Sequence, residues 1–238
     1  MITILIPVFN EENRIRKSLD EIFMFLKTVK EETELVIVDD GSWDSTPKIL
    51  EEYKKKFDFT ISTLKNNQGK GAAIRNGISA SRGDTILFTD IDLSVPIDFV
   101  NSFNEAMTDD VDIVIGSREH PQSEIAVKQF WLREMAGYSF TVLTNAILQV
   151  GASDFTCGFK LFRREAARKI FAKQLINRWT FDAESLFLAK KYEFVVKEMP
   201  VVWKHGEGSK VRFPQDLIGS FFALIQIRMN DWMGKYEY

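Results

Sequence analysis

The chain has 238 residues, 45% of them hydrophobic, and a formal net charge of -3. Length and apolar content suffice for one large α/β domain, and the near-neutral balance excludes a globally basic nucleic-acid binder, so no nucleic acid is expected as partner. The single cysteine, Cys157, excludes an internal disulfide and fits a reducing compartment.

Ile2 to Val8 reads as a first strand, apolar almost throughout and therefore central in a sheet. Asn10-Glu11-Glu12 opens a helix to about Lys30, with Ile15, Leu19, Ile22, Phe23 and Leu26 on one face at helical spacing. A second strand, Leu35 to Val38, ends in Asp39-Asp40-Gly41-Ser42, and Thr46-Pro47 starts the next helix with proline in its first turn. Phe59 to Leu64 is a third strand, followed by Asn66-Asn67-Gln68-Gly69-Lys70-Gly71 and a small-residue helix, Ala72 to Ala80. A fourth strand, Ile86-Leu87-Phe88, ends in Asp90 and Asp92; Pro96 to Met107 is helical, and Val111 to Ile115 is a fifth strand ending in Gly116-Ser117-Arg118. This alternation predicts an α/β fold with a mostly parallel sheet and helices on both faces.

The second half changes character. A long amphipathic helix is predicted over Ile125 to Val150, then the run Asp154 to Lys160, a helix near Arg164 to Phe171 and another from Phe181 to Lys190. Phe194 to Trp203 is strand-like and broken at Pro200; the last helix, Pro214 to Met233, carries Leu217, Ile218, Phe221, Phe222, Leu224 and Ile225. Aromatics beside Lys and Arg on these two helices suit a membrane surface, and core packing would explain them too. No apolar run reaches the roughly 18 residues of a membrane span, and the N-terminus lacks the charged start and cleavage site of a signal peptide. The expectation is one domain, its halves 1–118 and 119–238 serving donor and acceptor, with a peripheral membrane position.

Three strand ends converge chemically. Asp39 and Asp40 follow the second strand, Lys70 follows the third, and Asp90 and Asp92 follow the fourth. In a doubly wound sheet such ends share one crevice. Paired carboxylates can hold a hard cation, Mg²⁺ or Mn²⁺, that bridges to phosphate oxygens. A carboxylate such as Asp39 can accept from a ribose hydroxyl or a base imide, and Lys70 adds a point charge, so the crevice reads as a nucleotide site. Taken singly, each motif is also compatible with an ordinary turn or helix start. A P-loop and a G-x-G-x-x-G fingerprint are both absent.

The runs I-P-V-F-N-E-E, V-D-D-G-S, N-Q-G-K-G-A-A-I-R-N-G, T-D-I-D-L-S and G-S-R resemble the inverting GT-A glycosyltransferases of family 2. In the second half C-G-F-K-L-F-R-R-E-A-A, R-W-T-F-D-A-E, the stretch Trp203 to Lys210 and I-R-M-N-D-W-M-G-K-Y resemble the dolichyl-phosphate β-glucosyltransferases and their archaeal polyprenyl-phosphate relatives. The resemblance implies a GT-A fold and transfer of a sugar, glucose from UDP-glucose, to a dolichyl or polyprenyl phosphate at the cytoplasmic membrane face. It assigns Pro7, Phe9, Glu11, Asp39 and Asp40 to the nucleotide, and Asp90 and Asp92 to metal and diphosphate. Arg118 and Arg133 would receive the lipid phosphate, with Lys210 closing over the diphosphate.

A phosphate acceptor also has a physical rationale. A lipid monophosphate with second pKa around 6 is mostly a dianion at neutral pH. It therefore needs cations rather than the general base that a hydroxyl acceptor requires. Asp154 is left open between orienting the acceptor, acting as a base and hydrogen bonding structurally, and Asp182 and Glu184 are equally open. The rivals are a GDP-mannose-dependent enzyme, a transferase acting on a glycan hydroxyl, and a nucleotide-sugar-binding subunit without catalysis. The related mannosyl enzymes often carry a membrane-spanning tail; none is expected here.

Overall fold

The computed structural model describes residues 1–127, 131–204 and 215–237, the side chains of 131–134 and 215–217 excepted. Strands β1 (Ile2–Val8), β2 (Thr33–Asp39), β3 (Thr60–Thr63), β4 (Thr85–Phe88) and β5 (Ile113–Ser117) alternate with helices α1 (Ile15–Leu26), α2 (Thr46–Lys54), α3 (Lys70–Ala80) and α4 (Phe99–Glu105). The later chain adds β6 (Glu124–Ile125), α5 (Trp131–Leu148), β7 (Lys160–Arg163), α6 (Arg164–Lys173), α7 (Phe181–Lys191), β8 (Val196–Pro200), β9 (Val202–Trp203) and α8 (Gln215–Trp232). The expected α/β architecture with a mostly parallel sheet is what forms.

Seven strands make one sheet in the order β3-β2-β1-β4-β7-β5-β8, so both halves of the chain contribute to it; β6 and β9 pair separately. Both faces are covered. Ile4, Ile6 and Val8 pack toward α1, α2 and α4 in one core cluster, and their neighbour Leu5 packs in a second cluster with Val36, Val38 and residues of α3, α6 and α7. Burial on both faces is why these strands lack a polar alternation.

All strands of the main sheet are parallel except β7, which lies antiparallel between β4 and β5. Sequence reading misses it: it has four residues, it begins with a lysine, and it precedes a helix without a break. Its direction matters. Lys160 pairs with Phe88 and with Ile115, the last part of β4 and of β5, so the loop before β7 enters at the edge where its neighbours leave.

The start of the first predicted long helix, Ile125, belongs instead to β6, and α5 and α8 pack against each other. Leu148, Leu224 and Ile227 are buried, whereas Tyr138, Val142, Ile218, Phe222 and Trp232 stand exposed. Each helix thus divides its apolar residues between core and surface. Among the described residues no helix is long and apolar enough to cross a membrane.

One position shows how tightly the first half is assembled. A methyl group on Gly77 of α3 would overlap Leu5 Cδ1 of β1 and press on Val38 of β2. Alanine improves helix propensity by about 1 kcal/mol, but overpacking of this kind costs roughly 1–3 kcal/mol. Gly77→Ala is therefore expected to lower the urea midpoint of unfolding; an unchanged or raised midpoint would show that the helix can move off the sheet.

Candidate active site

The C-terminal ends of β1, β2, β4 and β5 bring the predicted residues to one edge. After β1, Asn10 takes a positive φ of 52° and the chain is cross-linked to the loop after β2. Asn10 N–H donates to Ser42 Oγ at 2.9 Å, and Trp43 N–H donates to Asn10 Oδ1 at 3.0 Å. Phe9 meets the edge of Trp43 with ring centroids 4.9 Å apart, and Trp43 is 77% exposed. Pro7 occupies the penultimate position of β1, beside Val38.

The two aspartates after β2 are unlike. Asp39 is buried; its Oδ1 accepts from the Ser42 N–H at 2.9 Å, while Oδ2, also buried, has no hydrogen-bond partner among the described residues. A buried carboxylate oxygen without a partner is uncommon and leaves an acceptor open at this edge. Asp40, by contrast, is taken up by its own protein. It accepts from the N–H groups of Gln68 at 2.7 Å and Gly69 at 2.8 Å and from Asn67 Nδ2 at 2.8 Å. Burial raises its pKa against the pull of those N–H groups. Asp40 shapes the loop that delivers Lys70 to the start of α3.

Around the acidic pair, cations and carboxylates interleave. Lys70 Nζ lies 2.7 Å from Asp90 Oδ1; burial would lower its pKa, but Asp90 and Asp182 outweigh it and hold the lysine charged. Asp92 Oδ1 accepts from Ser94 N–H at 3.0 Å and Ser94 Oγ at 2.9 Å, and Asp92 Oδ2 lies 3.5 Å from Arg14 Nη1. Arg14 also donates to both oxygens of Glu11, the Nη2 contact at 2.9 Å, so Glu11 reaches the acidic pair through an arginine that sequence reading passed over. Among the described residues no third His, Cys, Asp or Glu joins these carboxylates as a metal cluster. A cation here would take two protein carboxylates and complete its shell with phosphate and water, which suits Mg²⁺ or Mn²⁺.

Arg118, just past β5, is locked to Asp154. Its Nε donates to Oδ2 at 2.7 Å, its Nη2 to Oδ1 at 2.9 Å, and its own N–H to Oδ2 at 3.1 Å; Nη2 also reaches Thr156 Oγ1 at 2.6 Å. The guanidinium lies 5.5 Å from the Trp203 ring centroid. Thr156 and Cys157 N–H groups add to Asp154 Oδ1 at 2.9 and 3.1 Å. Burial alone would raise the Asp154 pKa, but Arg118 and the N–H groups hold it well below the ordinary carboxylate range. Such a carboxylate is not poised as a base near neutral pH. Of the readings open for Asp154, the geometry supports the structural one: it orients Arg118.

The side chain of Arg133 and the whole of Lys210 lie outside the described residues. Glu184 is structural. It is fully buried and accepts from the N–H groups of Leu175 and Ile176 and from the Tyr236 hydroxyl at 2.6 Å. Gly158, absent from the predicted set, touches the site most closely: a Cβ there would overlap Asp90 Oδ2 and lie 3.4 Å from Lys70 Nζ.

The chain matches the family model described as Glycosyl transferase family 2 over residues 3–171. The chain belongs to glycosyl transferase family 2. It is 37% identical over 249 residues to a dolichyl-phosphate β-glucosyltransferase of Dictyostelium discoideum, with 99% of this chain and 76% of the relative covered. The human protein of that name is 34% identical, covering 88% of this chain and 69% of its own, and the Saccharomyces cerevisiae one 34%, covering 99% and 76%. Among solved structures, glucosyl-3-phosphoglycerate synthase of Mycobacterium tuberculosis, with Mn²⁺, UDP and glucosyl-3-phosphoglycerate, superposes with a TM-score of 0.68. At 17% identity over 96% of this chain and 79% of that one, the likeness shows a shared fold.

The close approach at Gly158 gives a test of the acidic pair. Gly158→Ala is expected to push Asp90 aside and weaken Mn²⁺-dependent UDP binding about tenfold or more, a loss of roughly 1.4 kcal/mol, with thermal unfolding little changed. Calorimetric titration of the alanine variant with wild-type affinity would show that Asp90 does not serve that complex.

Proposed function

We propose that this glycosyltransferase moves glucose from UDP-glucose to the phosphate of a dolichyl or other polyprenyl lipid, inverting the anomeric configuration to give a β-linked lipid-phosphate sugar. The relatives' shared activity supports the acceptor class, and the fixed Arg118 agrees with it: Asp154, held by that guanidinium and three backbone N–H groups, is occupied in orienting a cation rather than placed as a base for a hydroxyl. A phosphate dianion needs no base. An oxygen lone pair of the acceptor forms the bond to the anomeric carbon, and the bond from that carbon to the UDP β-phosphate oxygen breaks, its electrons leaving with UDP.

The residues divide the work. Asp39 Oδ2 accepts from the nucleotide, and Pro7, Phe9 and the neighbouring Trp43 line the base side. Glu11 and Arg14 steady Asp92, Asp40 places the Lys70 loop, and Lys70 offsets diphosphate charge. Asp90 and Asp92 would hold Mg²⁺ or Mn²⁺, which supplies charge compensation to the leaving diphosphate. Arg118, fixed by Asp154, presents its guanidinium to the acceptor phosphate, where charge-assisted donors are strongest. Arg133 is assigned beside it and Lys210 over the diphosphate.

The whole chain works as one domain: residues 1–118 supply most of the donor contacts, with Arg118 at their end turned to the acceptor, and 119–238 supply Arg133 and the membrane-facing helices, with Lys210 reaching back over the diphosphate. The exposed apolar residues of α5 and α8 rest on the membrane surface, peripherally and on the cytoplasmic side, so that the polyprenyl chain stays in lipid while its phosphate reaches Arg118.

Labelled UDP-glucose, UDP-GlcNAc and GDP-mannose offered with dolichyl phosphate in detergent test this directly. Label is expected in the organic phase from UDP-glucose, lost with chelator and in Asp92→Ala. Labelling from GDP-mannose instead would overturn the donor, and no labelled lipid from any donor would overturn the acceptor. Asp39→Asn is expected to weaken UDP binding by about 1–3 kcal/mol, since its amide would face a donor with a donor; unchanged UDP affinity would remove Asp39 from the base site.

A further inference from the structure

Lys160 is fully buried at the start of β7, and all three of its ammonium donors are spent inside the protein. It donates to the Phe155 carbonyl at 2.9 Å, to the Cys157 carbonyl at 2.7 Å and to Asp182 Oδ1 at 2.6 Å. Asp182, in the first turn of α7, is buried beside it. A charge taken so completely out of water is costly unless paired, and replacing such a pair by apolar groups is often neutral for stability. Stability alone therefore does not account for a lysine at this place.

The loop above it shows what the pair does. In a trans peptide the C=O and N–H point in opposite directions. Because the Phe155 and Cys157 carbonyls face Lys160, the N–H groups of those same peptides, on Thr156 and Gly158, face away from it. Thr156 N–H goes to Asp154, and so does Cys157 N–H. Gly158 N–H, next in line, has no acceptor among the described residues. The residue is half-buried, and a Cβ on it would stand against Asp90 Oδ2 and 3.4 Å from Lys70 Nζ, which places Gly158 on the cleft side of the loop. Successive backbone N–H groups in such a turn form an anion-binding concavity; two of these are filled by Asp154.

We propose that Lys160, paired with Asp182, is a positioning residue: it holds the Cys157–Gly158 peptide so that the Gly158 N–H donates to a phosphate oxygen in the cleft. The inference rests on the phosphate-transfer reading above. The phosphate belongs either to the donor diphosphate or to the acceptor, and the chemistry of the contact is the same.

Because Cys157 is the only cysteine, protein labelled with carbonyl-¹³C cysteine and ¹⁵N glycine gives one carbonyl-correlated amide signal, that of Gly158. Its proton resonance is expected to move downfield on saturation with Mg²⁺ and UDP, or with farnesyl phosphate; the ligand that moves it identifies the source. A resonance unmoved by both at saturation would overturn the contact.

The double variant Lys160→Met/Asp182→Leu replaces the pair with apolar groups and is checked for folding by circular dichroism. It is expected to lose that shift and to transfer glucose about a hundredfold more slowly, as misplacement by an ångström can do. A folded double variant with the wild-type shift and turnover within threefold of wild type would overturn the role of Lys160. If the wild type transfers no glucose to lipid, the acceptor reading falls, and the Mg²⁺ and UDP titration still decides the Gly158 contact.

Discussion

The cleft depends on the reversal of one short strand. Were β7 parallel to β4 and β5, the loop that carries Asp154 and Gly158 would lie at the opposite end of the sheet from Asp90 and Arg118. Running antiparallel between them, β7 delivers that loop to the edge where both strands end. The sheet therefore joins a nucleotide-type edge, built by β1, β2 and β4, to a second set of polar groups without an intervening domain boundary.

Electrostatic pairing then fixes what each group can do. Around the acidic pair carboxylates face cations, Lys70 beside Asp90 and Arg14 between Glu11 and Asp92. This keeps several charges together where an unpaired one would be expensive. Asp154 faces a cation too: Arg118 and three backbone N–H groups take up its oxygens and hold it ionised. Asp39 differs, keeping one buried oxygen without a hydrogen-bond partner among the described residues.

Much of this was legible in the sequence for identifiable reasons. Strands buried on both faces read as apolar runs, and although a single carboxylate after such a run also reads as a turn or cap, Asp39, Asp90 and Asp92 were legible as a group because their strands end at one edge. Arg118 was legible as the residue closing a strand, and its assignment to the acceptor phosphate came from the family resemblance. What stayed hidden was partnership. Sequence shows that Asp40 and Asp154 are acidic but not that the backbone amides of Gln68 and Gly69, or the guanidinium of Arg118, would consume them. The strand β7 was hidden because a lysine at its first residue contradicts the apolar pattern of a central strand, and only the tertiary partners of Lys160 make that burial tolerable. Gly158 carries no side-chain signal; its meaning is the proximity of Asp90.

The central claim is that the acceptor phosphate is the nucleophile and supplies its own ionisation. The pH dependence of kcat/KM reports the ionisations of free enzyme and free acceptor, so the most direct measurement compares a polyprenyl phosphate with the matching methylene phosphonate, whose second pKa is higher. The rate is expected to rise through a break near pH 6 for the phosphate, to level off, and to move its break upward with the phosphonate. A break that stays in place when the acceptor is changed would assign the ionisation to an enzyme group and contradict the account.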